Sequence, residues 1–118
     1  MSAEPTVLKL GGSVITNKEK LLKPNLPAIK RLAKEIASAK LDSLIVVHGG
    51  GSFGHPLAKR YRIKEGFNGK ASQLLGFAKT HQAMITLNTL VVDALIKEKI
   101  PVVEVSPSSI IITKSGRI

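Results

Sequence analysis

Two short stretches of the chain hold residue types that handle phosphate. The first is Lys9-Leu10-Gly11-Gly12-Ser13, with a lysine two residues before a glycine pair. The second is His48-Gly49-Gly50-Gly51-Ser52-Phe53-Gly54-His55, three consecutive glycines followed by a fourth and a closing histidine. Glycines let backbone N–H groups approach an anion without a Cβ in the way, and they tolerate the positive φ angles of a loop that wraps one. Lys9 sits between Leu8 and Leu10 in an otherwise apolar run. Its ammonium must reach toward the carboxyl edge of the strand to stay solvated or paired. There it can bridge phosphates, although a snorkelling surface lysine fits the same pattern. Lys18, in the polar segment beyond Thr16, is a second candidate cation. His55 is a candidate donor to a phosphate oxygen. His48, at a strand end, and His81, inside a long apolar-periodic stretch, read as packing or surface residues.

Other chemistries fit less well. Gly49, Gly51 and Gly54 match G-x-G-x-x-G, but a dinucleotide site also wants a second strand and an acidic residue about 20 positions on. The next acidic residue is Glu65, in a charged segment with no strand before it. The pattern G-x-x-x-x-G-K-[ST] is absent, so a standard P-loop is excluded. A tight strand-to-helix turn alone also selects glycine, but three in a row exceed that need. With no cysteine, a disulfide framework, a thiolate metal site and a cysteine nucleophile are all ruled out.

The elements that must position these residues alternate in type. Thr6 to Leu10 reads as a strand running into the Gly11-Gly12-Ser13 turn, then Val14-Ile15-Thr16. Asn17 to Lys23 is a polar loop. Asn25 can cap a helix that tolerates Pro27 in its first turn and buries Ile29, Leu32, Ala33, Ile36 and Ala37. Leu44 to His48 is a short β-branched run suited to a buried parallel strand. Pro56 opens a short helix through Tyr61, and Arg62 to Lys70 reads as a mobile surface segment. A long helix from Ser72 to about Lys97 follows, roughly 40 Å if unbroken. Leu74, Leu75, Ala78, Leu87, Leu90, Val91, Ala94 and Leu95 can line one side of it. Pro101 to Val105 and Ser109 to Thr113 read as strands, and Ser115-Gly116 as a hairpin turn. This alternation predicts an α/β layered fold with a largely parallel sheet, and ligands in such folds sit beyond the carboxyl ends of the strands. Both glycine turns lie there.

The 118 residues suffice for one domain with a core. Hydrophobic residues are 43% and aromatics only 3%, so that core must rest on Leu, Ile, Val and Ala. The formal charge of +10 suits an anionic ligand or a solvated basic surface. The cations are spread along the chain without interleaved aromatic platforms, which argues against single-stranded nucleic acid. The first residues lack a basic segment followed by an apolar run, and no apolar stretch approaches the ~20 residues of a membrane span. The expectation is a cytoplasmic chain with neither nucleic-acid nor membrane partners. The last residues stop just past the hairpin turn, so a fragment of something longer is expected.

Together the two glycine motifs resemble the amino acid kinase superfamily, and Ser52-Phe53-Gly54-His55 narrows the likeness to the isopentenyl phosphate kinases. The resemblance runs through the chain, including Gly76-Phe77-Ala78-Lys79-Thr80-His81-Gln82 and Leu87-Asn88. It implies a three-layer αβα sandwich of the carbamate kinase-like type, cut after the N-terminal, acceptor-binding half, with most of the nucleotide site in the absent C-terminal half. It implies ATP with Mg2+ and phosphorylation of isopentenyl phosphate to the diphosphate. Lys9 would contact the transferring phosphate and Lys18 would assist with charge. Gly11, Gly12 and Ser13 would cradle the ATP phosphates; Gly50 and Gly51 would hold the region between donor and acceptor. His55, with Gly54, would bind the acceptor phosphate. No protein metal ligand is implied. An apolar tail pocket is expected between the second loop and the long helix, with Ala78, Gln82 and Ala83 as candidates. A homodimer through helix 72–97 also follows from the resemblance. Alternatives are a related kinase for another phosphate or phosphonate, of the fosfomycin-phosphorylating kind, or a non-catalytic small-molecule-binding domain.

Overall fold

The structure, a computed structural model, describes residues 4–118; the reading of Met1 to Ala3 as free of a leader lies outside the described residues. The core is a pair of parallel strands joined through a helix. Strand β1 (Thr6–Leu10) leads into one helical turn, α1 (Gly12–Ile15), a polar loop, and helix α2 (Leu26–Ala39). Strand β2 (Leu44–His48) returns parallel to β1, pairing Thr6 with Leu44 and Leu10 with His48. Helix α3 (Gly51–Arg60) and the 27-residue helix α4 (Ala71–Lys97) follow. The parallel pair and its crossover helix bear out the α/β reading.

Side-chain alternation gives the sheet two different faces. Leu8, Leu10, Leu44 and Val46 point to the core built by Ile29, Ala33 and Ile36 of α2, Phe53 of α3, and Ala83, Leu87, Val91, Ala94 and Leu95 of α4. The other face carries Val7, Lys9, Ile45 and Val47, all exposed. Val7 is 63% exposed and Ile45 49%, so among the described residues the helices cover one face only.

Local sequence accounts for two of the chain's ends and turns. The Asn25 side chain accepts from Ala28 N–H at 3.2 Å, capping α2 with Pro27 in the first turn. At Ser115-Gly116 both φ angles are positive (50° and 75°) and Lys114 pairs with Arg117, as expected for a two-residue hairpin turn.

Three expectations need correction, and a fourth, the surface segment 62–70, gains detail. Helix α3 starts at Gly51, not Pro56, and Pro56 lies inside it. A proline there leaves the carbonyl four residues back without its helical donor; that carbonyl, on Ser52, accepts instead from Leu22 N–H at 3.1 Å. The segment 62–70 is tied down by Gln73. Its buried amide accepts from Asn68 N–H and donates to the carbonyls of Tyr61, Arg62 and Gly66. In the first half of α4 the buried line is Gln73, Gly76 and Ala83, while Leu74, Leu75 and Ala78 are exposed. Polar anchoring at Gln73, and Gly76 seated under the Tyr61 ring, rotate the buried face away from the more hydrophobic one. Finally, 101–105 and 109–113 form no strands. Val102 packs on the core, but Val103 and Ile112 are 85% and 89% exposed, and among the described residues no neighbouring strand takes their backbone groups.

Candidate active site

Both strands end at the same edge, and a helix starts there from each. Val14 and Ile15 N–H both bond to the Gly11 carbonyl, which turns the chain directly from β1 into α1. Phe53 and Gly54 N–H bond likewise to Gly50, opening α3 after β2. The N–H groups of Gly12, Ser13, Gly50 and Gly51 take no backbone acceptor among the described residues. Unpaired N–H groups and the positive end of α3 favour an anion at this edge.

The glycines do different jobs. Gly12 and Gly49 touch across the edge: a Cβ on Gly49 would lie 2.9 Å from Gly12 N. Gly51 has φ +47°, and a Cβ there would press into the Gly12 carbonyl and the Thr16 hydroxyl. These three let the two turns meet backbone to backbone. Gly50 and Gly54 instead face α4, where a Cβ on either would come 2.9 Å from Met84 Sδ. They let α3 lie close on α4. Gly11 would meet only Val14, at an ordinary 3.6 Å.

A hollow of about 380 Å³ opens over the joined turns, lined by Gly12, Ser13, Lys18, Gly51, Ser52, His55 and Pro56. It gathers five residues expected from sequence: Gly12, Ser13, Lys18, Gly51 and His55. Its lining holds one lysine, one histidine, two hydroxyls and no carboxylate. His55 is exposed one helical turn into α3. Lys18 arrives on the loop after α1, which is pinned to α3 by Leu22 N–H to the Ser52 carbonyl and by the Ser52 hydroxyl to the Lys23 carbonyl at 3.3 Å. Lys9 does not line this hollow; it stands on the open sheet face, three residues before Gly12. Gly11, Gly50 and Gly54 also lie outside the lining.

A second hollow, of about 510 Å³, shares α3 and the same loop as walls. It is lined by Leu22, Pro24, Phe53, Leu57, Lys79, Gln82, Ala83, Thr86 and Leu90. Gln82 and Ala83 were expected beside an apolar tail pocket and are here; Ala78 is not. Behind the second turn, His48 bridges the Gly49 carbonyl (Nδ1, 3.0 Å) and the Asn88 amide of α4 (Nε2, 2.9 Å), as a packing residue would.

Sequence reasoning missed Ser52 and Thr16. Ser52 stands in the motif that narrows the family likeness, without a role of its own there. Thr16 had one signal, a hydroxyl adjoining the buried Ile15, and lies only 2% exposed.

The strand ends of this α/β domain turn through paired glycines beside a carboxylate-free hollow, and the chain belongs to the amino acid kinase family, whose model matches residues 4–117. Its relatives narrow the class. The chain is 44% identical over 120 residues to isopentenyl phosphate kinase of Methanothermobacter thermautotrophicus, covering 95% of the chain and 44% of that protein. It is 37% identical to the isopentenyl phosphate kinase of Methanocaldococcus jannaschii, over 91% of the chain and 45% of that protein. Among solved structures, one of isopentenyl phosphate kinase superposes with TM-score 0.87 at 42% identity, over 97% of this chain and 48% of that one. An isopentenyl phosphate kinase substrate complex gives 0.81 at 32% identity, over 94% of this chain and 46% of that one. The chain thus spans less than half the length of these relatives.

Proposed function

We propose that this chain is the acceptor-binding half of an ATP-dependent kinase that converts isopentenyl phosphate to isopentenyl diphosphate. The observation that carries the reading is the carboxylate-free hollow holding Lys18, His55 and the N–H groups of Gly12, Ser13 and Gly51, beside an apolar hollow wide enough for a short hydrocarbon. The relatives' shared name supplies the substrate.

The acceptor of such a reaction is itself a phosphate, already an anionic nucleophile, so no general base is needed. An acceptor oxygen forms a bond to the γ-phosphorus of ATP while the bond from that phosphorus to the ADP oxygen breaks. The protein must align two groups that repel each other and neutralise charge on the one transferred. His55 donates to the acceptor phosphate, and Lys18 offsets the combined charge. Gly12 and Ser13 N–H groups hold the donor phosphates, with Gly11 shaping the turn, and Gly51 N–H lies between donor and acceptor. Gly50 and Gly54 keep α3 against α4 and so fix where His55 stands. Lys9 extends from the open face past the strand end toward the transferring group. The five-carbon tail enters the hollow bordered by Phe53, Leu57 and Ala83. Mg2+ would be held by the nucleotide's own phosphates and would offset their charge; no cluster of three potential metal ligands occurs among the described residues, and the donor set here is one of N–H and cationic groups. The remaining nucleotide contacts belong to the other half of the enzyme.

Pairing of two copies through α4 is supported by its exposed Leu74, Leu75 and Phe77, each 55–56% exposed. A cytoplasmic setting accords with the cysteine-free sequence and with the absence, among the described residues, of a helix long and apolar enough to cross a membrane.

The deciding experiment extends the chain to the length of its relatives and follows ADP release with a panel of small monophosphates. Isopentenyl phosphate is expected to be turned over with the highest kcat/KM. Preference for a small polar phosphonate, or no turnover of any, overturns the reading.

A further inference from the structure

We infer that Thr16 is a positioning residue whose hydroxyl sets the spacing of the two phosphate-facing turns; this rests on the kinase reading above. Thr16 ends α1 and is 2% exposed. Its Oγ1 donates to the Gly12 carbonyl at 2.6 Å and accepts from Ser52 N–H at 3.1 Å. One buried hydroxyl therefore joins the first turn to the first turn of α3. A backbone bond between the two strand ends, Gly49 N–H to the Leu10 carbonyl at 3.0 Å, lies a step back from the hollow.

Three consequences follow from this bridge. First, it uses the Ser52 N–H and leaves the N–H groups of Gly50 and Gly51 for a ligand, so it selects which amides face the anion. Second, it explains why residue 51 must be glycine: the space a Cβ would take is filled by the Thr16 hydroxyl and the Gly12 carbonyl. Third, Thr16 begins the loop that carries Lys18, while Ser52 lies three residues before His55. The hydroxyl thus fixes the origin of the segment holding one cation against the helix holding the other. A β-branched side chain suits this task because its χ1 is stiff.

The test compares Thr16→Val, which keeps the shape and removes the hydroxyl, with Thr16→Ser, which restores it. In the 118-residue chain, amide exchange read by NMR is expected to speed up at Ser52 by at least about tenfold in Thr16→Val, once the N–H loses its acceptor. Inorganic pyrophosphate, titrated by calorimetry, should bind more weakly, while Thr16→Ser stays close to the parent in both. In the chain extended to its relatives' length, a displacement of about 1 Å is enough to lower kcat roughly 100-fold. Thr16→Val should show that loss in kcat with KM for the acceptor changing much less, and Thr16→Ser should recover most of it.

Parent-like Ser52 exchange and kcat in Thr16→Val overturn the inference. Equal damage in both variants also overturns it, because then side-chain volume and not the hydroxyl matters. Should Thr16→Val fail to fold, the parent chain decides: a Thr16 hydroxyl proton exchanging as fast as that of an exposed threonine sinks the bridge. If the extended parent phosphorylates no small monophosphate, the kinase reading falls, while Ser52 exchange and pyrophosphate binding still judge Thr16.

Discussion

Replacing Gly51 by alanine should be more damaging than replacing Gly66, although both glycines have positive φ. Gly51 sits at φ +47° and Gly66 at φ +82° with ψ 177°, so each alanine must adopt a backbone conformation that L-residues rarely take. That costs on the order of 1–3 kcal/mol. The surroundings differ: Gly66 has nothing within 4 Å of a new Cβ, whereas at Gly51 the Cβ would lie 2.8 Å from the Gly12 carbonyl carbon and closer still to two oxygens. Ordinary contact needs at least 3.4 Å, so the turns must part by 0.6 Å or more. Overpacking of this kind adds about 1–3 kcal/mol. Gly51→Ala is therefore expected to lose roughly 2–6 kcal/mol and Gly66→Ala roughly 1–3. Urea unfolding followed by circular dichroism measures both, with the slope of the transition checked for constancy. Pyrophosphate affinity should fall in Gly51→Ala and hold in Gly66→Ala. Equal midpoints for the two variants would refute the claim that the turns meet backbone to backbone.

Other expected outcomes concern single groups. In the extended enzyme, His55→Ala should abolish acceptor binding while ATP binding largely survives, as read by calorimetry with each ligand; normal acceptor affinity removes His55 from the site. Lys9→Ala should lower kcat by about 100-fold or more, the scale of losing one charge contact to the transition state, and an unchanged kcat takes Lys9 out of the chemistry. Gln73→Leu should leave several backbone groups of 61–68 without partners and lower stability by about 1–3 kcal/mol; an unaltered urea midpoint contradicts the anchoring role. The 118-residue chain by itself should show no kinase turnover above background, and activity in the purified chain would mean that the nucleotide site lies within it.

Elements whose sequence carries its own instructions were legible. Helix α2 announces itself with Asn25, Pro27 and a periodic apolar face, and the hairpin turn with Ser115-Gly116. The glycine turns were legible as a pair because an anion loop needs backbone groups more than side chains. What escaped depends on partners distant in sequence. The start of α3 is hidden because the carbonyl that Pro56 would strand is rescued by Leu22, some thirty residues away. The buried face of α4 follows Gln73 and Gly76, since hydrogen bonds and ring packing there outweigh the exposure of Leu74 and Leu75. Residues 101–105 have strand-like composition, but a strand exists only when a neighbour takes its backbone bonds. Thr16 was invisible for the same reason, its role residing in a contact across 36 residues of sequence.

The candidate cations stand differently relative to the sheet. Lys18 and His55, both exposed, line the hollow over the joined turns. Lys9 approaches from the open side, flanked by exposed Val7, Ile45 and Val47. In the proposed reaction, charge on the phosphates would be met from both sides of the glycine edge. That ties charge placement to the covering of the open face. Exposed in the described residues, Lys9 has no packing to hold its ammonium toward the edge, so its alignment depends on whatever comes to lie over Val7 and Val47.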